Sequence, residues 1–340
     1  MAVIGYGYWG PQLVRNFDRL RGSIVTHIVD LSAERREAAR EAFPSIEVIA
    51  DAETVLHGDV DAVVIATPIR THYALARQAL ECSKHVFVEK PLTDNVEQAA
   101  ELVGMAQRAQ RVLMVGHTFM YNPAVEELRR RVQSGSLGRV YHVDAIRVNL
   151  GLFQPDINVL WDLAPHDMSI LNYILGAEPV EVSAQGAAFV RSGVHDVAHI
   201  MLRYPDGVLA HVHVSWLYPS KVRRITIVGD QQMAVYDDVE SNEKIRIYNR
   251  GVEVPDYTST YGEFQLSYRY GDIVSPHIHW MEPLAVECQH FLDSILSGEP
   301  PRSDGNNGLR IVRLIQAMQD SLLAGGATIA LPPLDLGGGP

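Results

Sequence analysis

The first third of the chain alternates short apolar runs with amphipathic segments. Runs with the length of buried strands occur at 2–4, 24–29, 60–66, 85–88 and 112–115, and helical periodicity occurs at 12–20, 32–43, 71–80 and 95–109. Ser32 stands where it can cap the second of these helices. Continuous apolar strands that alternate with helices are typical of a parallel sheet covered on both faces. Residues 1–122 are therefore predicted to form a doubly wound α/β domain.

The pattern changes near residue 122. A helical segment at 124–132 is followed by long strands in which polar and apolar positions alternate, at 140–148, 180–189, 197–204, 208–216 and 222–228. The tetrapeptide 204–207, Tyr-Pro-Asp-Gly, is a hairpin signal. Alternation with a period of two predicts a large, open, mostly antiparallel sheet. Residues 123–340 are predicted to form an α+β domain, with an amphipathic helix at 309–323 that packs back toward the first domain.

Composition narrows the classes of function. Hydrophobic residues make up 47% of the 340 positions, which excludes wholesale disorder. The formal charge of −12 argues against nucleic acid or an anionic membrane as the main partner. Cys82 and Cys288 are too few and too far apart for a disulfide framework or a metal motif. No apolar run reaches the length of a membrane span, and no secretory leader is evident, so a soluble cytoplasmic protein is expected.

A glycine-rich motif, GYGYWG, follows the first apolar run and precedes a helix. Its members are Gly5, Tyr6, Gly7, Tyr8, Trp9 and Gly10. Glycines in this position allow backbone N–H groups to approach a pyrophosphate at the helix N-terminus, although the same motif can be an ordinary turn. Asp30 closes the second strand, where a carboxylate accepts hydrogen bonds from ribose hydroxyls and favours NAD. Arg35 and Arg36 keep NADP open, and their simpler interpretation is as solvated helix residues.

The tripeptide Glu89-Lys90-Pro91 ends the fourth predicted strand. Ligands of a doubly wound sheet bind beyond the carboxyl ends of its strands, so Lys90 is directed toward the binding cleft. Pro91 restricts Lys90 to extended geometry and allows a cis peptide bond. The alternative interpretation is a surface lysine at a turn.

The segment WDLAPHD, at 161–167, opens an apolar helix. Asp162 is predicted to be its N-cap, and Pro165 is tolerated in a first turn. Asp162 and His166 are four residues apart and can share a face. The positive end of the helix would favour a neutral imidazole that can accept a proton. The alternatives are a plain cap, a core-edge histidine and, for Asp167, either a partner of the site or, the favoured choice, a charge that interacts with the helix dipole.

These motifs resemble the glucose–fructose oxidoreductase/inositol dehydrogenase (Gfo/Idh/MocA) family. The resemblance covers nearly the whole chain and is carried by GYGYWG (5–10), ATPIRTH (66–72), HVFVEKPL (85–92), VGHTFMYNP (115–123), WDLAPHD (161–167) and EPLAVECQHF (282–291). It implies a Rossmann domain that binds NAD(P) and an open-sheet domain that carries the substrate site and builds oligomers. Ala164 departs from the glycine usual in the family. Family members also have residues before the first strand, so the natural start is expected upstream of Met1.

The resemblance assigns roles to further residues. The catalytic group comprises Lys90, Asp162 and His166. Beyond the glycine motif and Asp30, the cofactor residues are Thr67, Pro68, His72, Glu89 and Lys90. The predicted substrate residues are Lys90, Tyr121, Arg147, Asn149, Trp161 and His166. No metal is predicted, since His211, His213 and the residues His277, His279, Glu287 and His290 are best interpreted as structural.

The expected function is hydride transfer between nicotinamide and a ring hydroxyl of a sugar. A 3-oxidation of a UDP-N-acetylhexosamine or its uronic acid is the leading prediction, and either Lys90 or His166 can accept the proton. The alternatives are a cyclitol or free-sugar dehydrogenase, an NAD-dependent glycoside-cleaving enzyme and a non-catalytic NAD-binding regulator. A homodimer or homotetramer is expected, because the open sheet face needs cover.

Overall fold

The computed structural model describes residues 1–151, 153, 157–253 and 267–334. The chain divides into two compact units, of which the first contains Met1–Asn122 and Met281–Gln316 and the second contains Pro123–Trp280 and Ala317–Pro333. No helix in these described ranges is both long and apolar enough to cross a membrane.

The first unit is built on a six-stranded parallel sheet. Its strands are β1 (Ala2–Ile4), β2 (His27–Val29), β3 (Glu47–Ile49), β4 (Ala62–Ile65), β5 (His85–Glu89) and β6 (Leu113–Gly116). They are ordered β3-β2-β1-β4-β5-β6, and this is the doubly wound order in which ligands bind at the carboxyl ends of the strands. The short edge strand β3 has no counterpart among the predicted strands, because only Val48 in its centre is buried.

The helices of this unit's first part are α1 (Gly10–Arg19), α2 (Ala33–Ala42), α3 (Glu53–Leu56), α4 (His72–Glu81) and α5 (Val96–Ala109), with 3-10 turns at Ile69–Thr71 and Thr118–Tyr121. Four of the five helices begin within two residues of their predicted starts, and the short α3 was not predicted. The Ser32 hydroxyl accepts a hydrogen bond from the backbone N–H of Arg35 and caps α2 as predicted. The Asn95 side chain caps α5 in the same way.

The second unit carries a nine-stranded, mostly antiparallel sheet. Its elements are α6 (Pro123–Gln133), β7 (Val140–Leu150), α7 (Val159–Leu175), β8 (Glu181–Ala187), β9 (Val197–Arg203), β10 (Leu209–Ser215), β11 (Leu217–Gly229), β12 (Met233–Asp237), β13 (Ile245–Glu253) and β14 (Ser267–Val274). The chain continues through α8 (Pro283–Ser297), α9 (Gly305–Leu323) and β15 (Ile329–Ala330). The strand order is β14-β13-β12-β11-β7-β10-β9-β8-β15, and β7 and β10 are parallel neighbours.

The start of α7 corrects one prediction. Asn158, not Asp162, is the N-cap, since its side-chain oxygen accepts the backbone N–H groups of Leu160 and Trp161 at 3.1 and 3.3 Å. Pro165 therefore lies inside the helix, and His166 lies about two turns from its start. The proposed effect of the positive helix end on His166 is wrong, because that effect fades within the first turn.

The later part of the chain contributes to both units. The predicted boundaries place all of 123–340 in the second domain, whereas Met281–Gln316 belongs to the first unit. The reason is aromatic packing on α8. The Phe291 ring lies edge-on to Phe17 and Phe87, with centroids 6.0 and 5.7 Å apart, and all three side chains are fully buried.

Candidate active site

The glycine loop after β1 has the geometry of a pyrophosphate cradle. Gly5 has a φ of +99°, and a Cβ on it would lie 2.6 Å from the carbonyl oxygen of Ala66. A Cβ on Gly10 would lie 2.3 Å from the carbonyl oxygen of Gly5. Trp9 precedes α1 and gives it no side-chain cap. The first N–H groups of α1 are thus placed to bind an anion, and the residues fit a dinucleotide.

Asp30 lies beside this loop at the carboxyl end of β2. Its Oδ2 accepts the backbone N–H of Tyr6 at 2.7 Å, and its Oδ1 accepts the backbone N–H of Ser32 at 2.8 Å. Each carboxylate oxygen has about two acceptor sites, so the capacity to accept ribose hydroxyls remains. The two backbone bonds hold the carboxylate in one orientation.

The two arginines near Asp30 differ in placement. Arg36 donates to the carbonyl oxygens of Asp30 and Leu31 at 2.8 and 2.9 Å, which is a structural role. The guanidinium of Arg35 lies 3.8 Å from Asp30 Oδ2 and 3.5 Å from the position of a Cβ on Gly7. Its side chain is 57% exposed. The prediction that both arginines are solvated helix residues does not describe Arg36, which holds two backbone carbonyls. It describes the exposure of Arg35, but Arg35 also borders the glycine loop.

The loops after β4 and β5 are joined by one buried histidine. The His72 ring nitrogens lie 2.8 and 2.9 Å from the carbonyl oxygens of Thr67 and Pro91. Burial lowers the pKa of His72, against the effect of these carbonyls. Thr67 also approaches Gly5, since a Cβ there would lie 2.9 Å from Thr67 Cγ2. The structure thus brings three predicted cofactor segments together, and the Lys90-Pro91 peptide bond is cis.

Three other predicted cofactor residues are open to solvent. Tyr8 and Trp9 are 82% and 36% exposed, and Pro68 is exposed as well. Tyr6 of the same motif is buried, and its ring packs edge-on against Phe43 at 6.5 Å. Tyr8 and Trp9 pack against each other with centroids 5.5 Å apart. The exposed members are therefore available to a ligand, whereas the Tyr6 side chain is part of the core.

Glu89 and Lys90 differ sharply in environment. Lys90 is half-buried, whereas Glu89 is 7% exposed and its Oε2 accepts only a 3.3 Å hydrogen bond from the backbone N–H of Lys90 among the bonds described. Burial raises the pKa of Glu89 to about 7, against the lowering effect of the Lys90 charge. With this pKa, both the protonated and the ionised form of Glu89 are present at neutral pH.

In the second unit, α7 carries the predicted Asp162 and His166, both half-buried. Trp216 donates its indole N–H to Asp162 Oδ2 at 2.9 Å and is itself fully buried. The sequence pattern does not single out Trp216. The one feature of the sequence that could have indicated Trp216 is its position as a large aromatic residue between β10 and β11, where the alternation of polar and apolar residues breaks. This bond holds the Asp162 carboxylate in one orientation.

Arg147 and Asp167 form a buried ion pair. The Arg147 Nε and Nη2 atoms donate to the two Asp167 oxygens at 2.7 and 3.0 Å, and the side chains are only 4% and 2% exposed. The predicted substrate role of Arg147 does not match this placement. The prediction that Asp167 interacts with the helix dipole is wrong, because Asp167 faces β7 and neutralises Arg147.

Other predicted substrate residues are mostly enclosed. Tyr121 is 3% exposed, and its hydroxyl lies 3.0 Å from the Ser303 hydroxyl, so its placement differs from the predicted substrate contact. Trp161 is 9% exposed, while Asn149 is half-buried. The two substrate candidates on β7, Arg147 and Asn149, therefore differ in access although they are two residues apart.

The remaining candidate clusters have local explanations. Arg223 and Arg224, two neighbouring cations on β11, pair with Asp238 and Asp237 at 3.3 and 3.1 Å. Within the described ranges, no group of three or more His, Cys, Asp or Glu residues has the geometry to hold a metal ion.

Comparisons with known proteins connect this geometry to function. The chain is 33% identical over 320 residues to UDP-N-acetylglucosamine 3-dehydrogenase of Acidithiobacillus ferrooxidans, covering 92% of this chain and 93% of that relative. A solved structure of UDP-N-acetylglucosamine 3-dehydrogenase from the same organism matches with a TM-score of 0.78 at 30% identity, over 95% of this chain and 97% of that one. Myo-inositol 2-dehydrogenase of Thermotoga maritima is 26% identical over 342 residues, covering 95% and 96% of the two chains.

The family matches follow the two sheets. Residues 1–117, which contain the parallel sheet, match the oxidoreductase family with an NAD-binding Rossmann fold. Residues 125–235, which contain α7 and the first strands of the second sheet, match the GFO/IDH/MocA C-terminal domain. Since these matches span well over half of the chain, the resemblance seen in the motifs is confirmed. The chain belongs to the Gfo/Idh/MocA family of oxidoreductases, which act on CH–OH groups.

Proposed function

We propose that this protein is an NAD-dependent dehydrogenase that oxidises C3 of a nucleotide-activated sugar, with a UDP-N-acetylhexosamine or its uronic acid as the substrate class. The observation that carries this proposal is the 33% identity to UDP-N-acetylglucosamine 3-dehydrogenase over 92% of the chain. The reverse reaction, reduction of the 3-keto sugar, uses the same groups. Such sugars and NAD are metabolites of the cytoplasm, where we expect the enzyme to act.

The cofactor is held by backbone groups and one carboxylate. The N–H groups of the glycine loop bind the pyrophosphate, and Asp30 accepts the hydroxyls of the adenosine ribose. A 2′-phosphate in the same position would meet the Asp30 carboxylate, so NAD is favoured over NADP. The nicotinamide supplies the hydride acceptor when it is bound. Thr67 and His72 line the loop that we assign to its ribose.

Three side chains are assigned to the chemistry. Lys90 donates a hydrogen bond to the reacting oxygen, His166 takes the hydroxyl proton as general base, and Asp162 orients His166 or the substrate. Lys90 is the alternative proton acceptor. Trp216 supports this assignment, since it fixes the Asp162 carboxylate at 2.9 Å.

The exposed face of the second sheet supports self-association. Met201 on β9 and Leu209 on β10 are 43% and 38% exposed on strands whose alternate residues are buried. Exposed apolar side chains on an uncovered sheet face favour an interface. We infer a homodimer or homotetramer, and light scattering at micromolar concentration tests it. A stable monomer would contradict it.

The function is tested by measuring NADH release from a panel of UDP-sugars and free polyols. Turnover confined to UDP-N-acetylhexosamines or their uronic acids is expected. Turnover of free cyclitols instead would favour the alternative suggested by the 26% identity to myo-inositol 2-dehydrogenase. Sugar release without net NADH would indicate a glycoside-cleaving enzyme, and NAD binding without any turnover would indicate a regulator.

A further inference from the structure

A buried cluster of ionisable side chains lies near Lys90 in the first unit. Glu89 ends β5, His117 follows β6 and Glu287 lies on α8, and their exposures are 7%, 1% and 0%. The Thr118 hydroxyl donates to Glu287 Oε2 at 2.7 Å and so joins α8 to the end of β6. These residues are far apart in sequence, and the fold alone brings them into one group.

The cluster is poorly supplied with hydrogen-bond partners. Among the described residues, no protein group hydrogen-bonds Glu89 Oε1, Glu287 Oε1 or either ring nitrogen of His117. A buried ionised group without such partners loses its hydration without compensation. The neutral forms of these side chains are therefore strongly favoured, except where a countercharge lies near.

The pKa values of the three side chains are shifted in different directions and by different amounts. Burial, with the nearby Glu89 as the second cause, raises the pKa of Glu287 well above its ordinary value. Burial lowers the pKa of His117 to about 3, and the Lys90 charge adds to this. Burial raises the pKa of Glu89 only to about 7, because Lys90 opposes the rise. At neutral pH, Glu287 is protonated and His117 is neutral. Glu89 is the member of the cluster whose protonation state changes in this range.

Among the residues packed around Glu89, Lys90 is the charged group that affects its pKa. From β6, Gly116 packs directly on the carboxyl, since a Cβ there would lie 3.3 Å from Glu89 Cδ and both oxygens. From α8 come the neutral Glu287 and the Cys288 thiol, whose pKa burial raises. The neighbouring strand β4, Ala62–Ile65, contributes no ionisable side chain.

We propose that Glu89 is a positioning residue whose buried carboxyl, with few hydrogen-bond partners, exchanges a proton and so acts on the Lys90 ammonium next to it, while Glu287 keeps its own proton and serves as a neutral acid. When Glu89 releases its proton to solvent, the carboxylate stabilises the Lys90 ammonium. When a proton returns and the O–H bond forms, that stabilisation is lost. The consequence for catalysis rests on the proposed function, which gives Lys90 its contact with the reacting oxygen.

Infrared spectroscopy of the cofactor-free protein tests the proton directly. The carbonyl stretch of protonated carboxyl groups is followed from pH 6 to 9. We expect two buried acids at pH 6 and one at pH 9, with a midpoint near 7. Glu89→Gln should remove the component that titrates, and Glu287→Gln should remove the component that persists. Glu282→Gln is the matched control, because this α8-adjacent carboxyl is 45% exposed and pairs with Arg15, and both components should remain.

A second variant tests the coupling to Lys90 and does not depend on the folding of Glu89→Gln. Since the Lys90 charge lowers the pKa of Glu89, Lys90→Met should move the infrared midpoint to higher pH. Reciprocity requires this shift if Glu89 acts on Lys90. In kinetics, the ionisation near pH 7 in the profile of kcat/KM should disappear in Glu89→Gln and remain in Glu287→Gln.

The proposal is overturned if no carboxylic acid band titrates between pH 6 and 9. It is also overturned if the titrating band survives in Glu89→Gln or if its midpoint is unchanged in Lys90→Met. An enzyme that turns over no sugar while the infrared titration behaves as expected would contradict the proposed function and support the titration of Glu89.

Discussion

The indole N–H of Trp216 donates a hydrogen bond to Oδ2 of Asp162 at 2.9 Å. Trp216→Phe keeps an aromatic ring at this position and removes the donor, so the carboxylate loses its fixed orientation. A hydrogen bond to a charged group contributes about 1.5–3 kcal/mol, and we expect kcat to fall by about tenfold or more with NAD affinity unchanged. Steady-state kinetics and calorimetry measure the two effects. Trp280→Phe, at a tryptophan that is 53% exposed, is the control, and equal losses in both variants would contradict the role of Trp216.

Lys90 and His166 are expected to separate binding from chemistry. Lys90→Met should retain NAD binding and lose nearly all turnover, because the glycine loop holds the cofactor without it.

His166→Ala should lower kcat by about 10²–10⁴, the usual contribution of a general base. Calorimetry and NADH release measure both, with the exposed Lys221→Met as the control. If His166→Ala affects only the affinity for sugar, His166 binds the substrate and Lys90 is the base.

Cofactor preference follows from Asp30 and Arg35. NAD should bind at least about tenfold more tightly than NADP, because about 1.4 kcal/mol of repulsion between a 2′-phosphate and the carboxylate suffices for that ratio. Arg35→Ala should weaken NADP binding further and leave NAD binding nearly unchanged, since the guanidinium lies 3.8 Å from Asp30 Oδ2. Calorimetry with both cofactors checks this. Equal affinities of the wild type for NAD and NADP would indicate that Arg35, and not Asp30, determines the cofactor preference.

The Arg147–Asp167 pair predicts a large effect on stability. Asp167→Ala leaves the guanidinium buried without its carboxylate, and removal of one partner of such a pair costs about 3–5 kcal/mol. The double variant Arg147→Met/Asp167→Leu should be less destabilised than the single one. Urea unfolding compares them. Arg224→Met, at an exposed pair with Asp237, should cost only about 0–1 kcal/mol, and a similarly small cost for Asp167→Ala would contradict the burial of the pair.

Glu89 should make the folded state less stable as the pH rises. Burial raises its pKa from 4.5 to about 7, so the folded chain holds a proton that the unfolded chain releases in this range. The stabilisation is present below about pH 4.5 and is lost as the pH rises through 7, and it amounts to roughly 3 kcal/mol.

The measurement is urea unfolding from pH 5 to 8 in the wild type and in Glu89→Gln. His117 acts in the opposite sense below its ordinary pKa of 6.5, because burial lowers its pKa to about 3, so the informative quantity is the difference between the two proteins. That difference should change with pH as described, whereas Glu282→Gln should follow the wild type. A pH-independent difference would contradict the raised pKa of Glu89.

The elements that local sequence determines were predictable, and those that depend on distant contacts were not. Ser32 caps α2 because a hydroxyl before an amphipathic run satisfies a backbone N–H three residues on. The start of α7 was misplaced because two good capping residues, Asn158 and Asp162, lie four positions apart, and only the fold assigns Asp162 to Trp216. The ion-pair partner of Arg147, which is Asp167, and the proximity of Glu287 to Glu89 could not be identified, since nothing in the local pattern specifies which strand a helix will cover.

The packing of Phe291 against Phe17 and Phe87 has a consequence for biosynthesis. The ribosome releases residues 1–122 well before α8, so the parallel sheet emerges with the ring faces of Phe17 and Phe87 unprotected. The sheet can complete its core only after nearly the entire polypeptide has been made, and until then this surface is open to aggregation or to a chaperone. A fragment cut at Asn122 would carry the whole nucleotide-binding motif and still lack the residues that make it a stable protein.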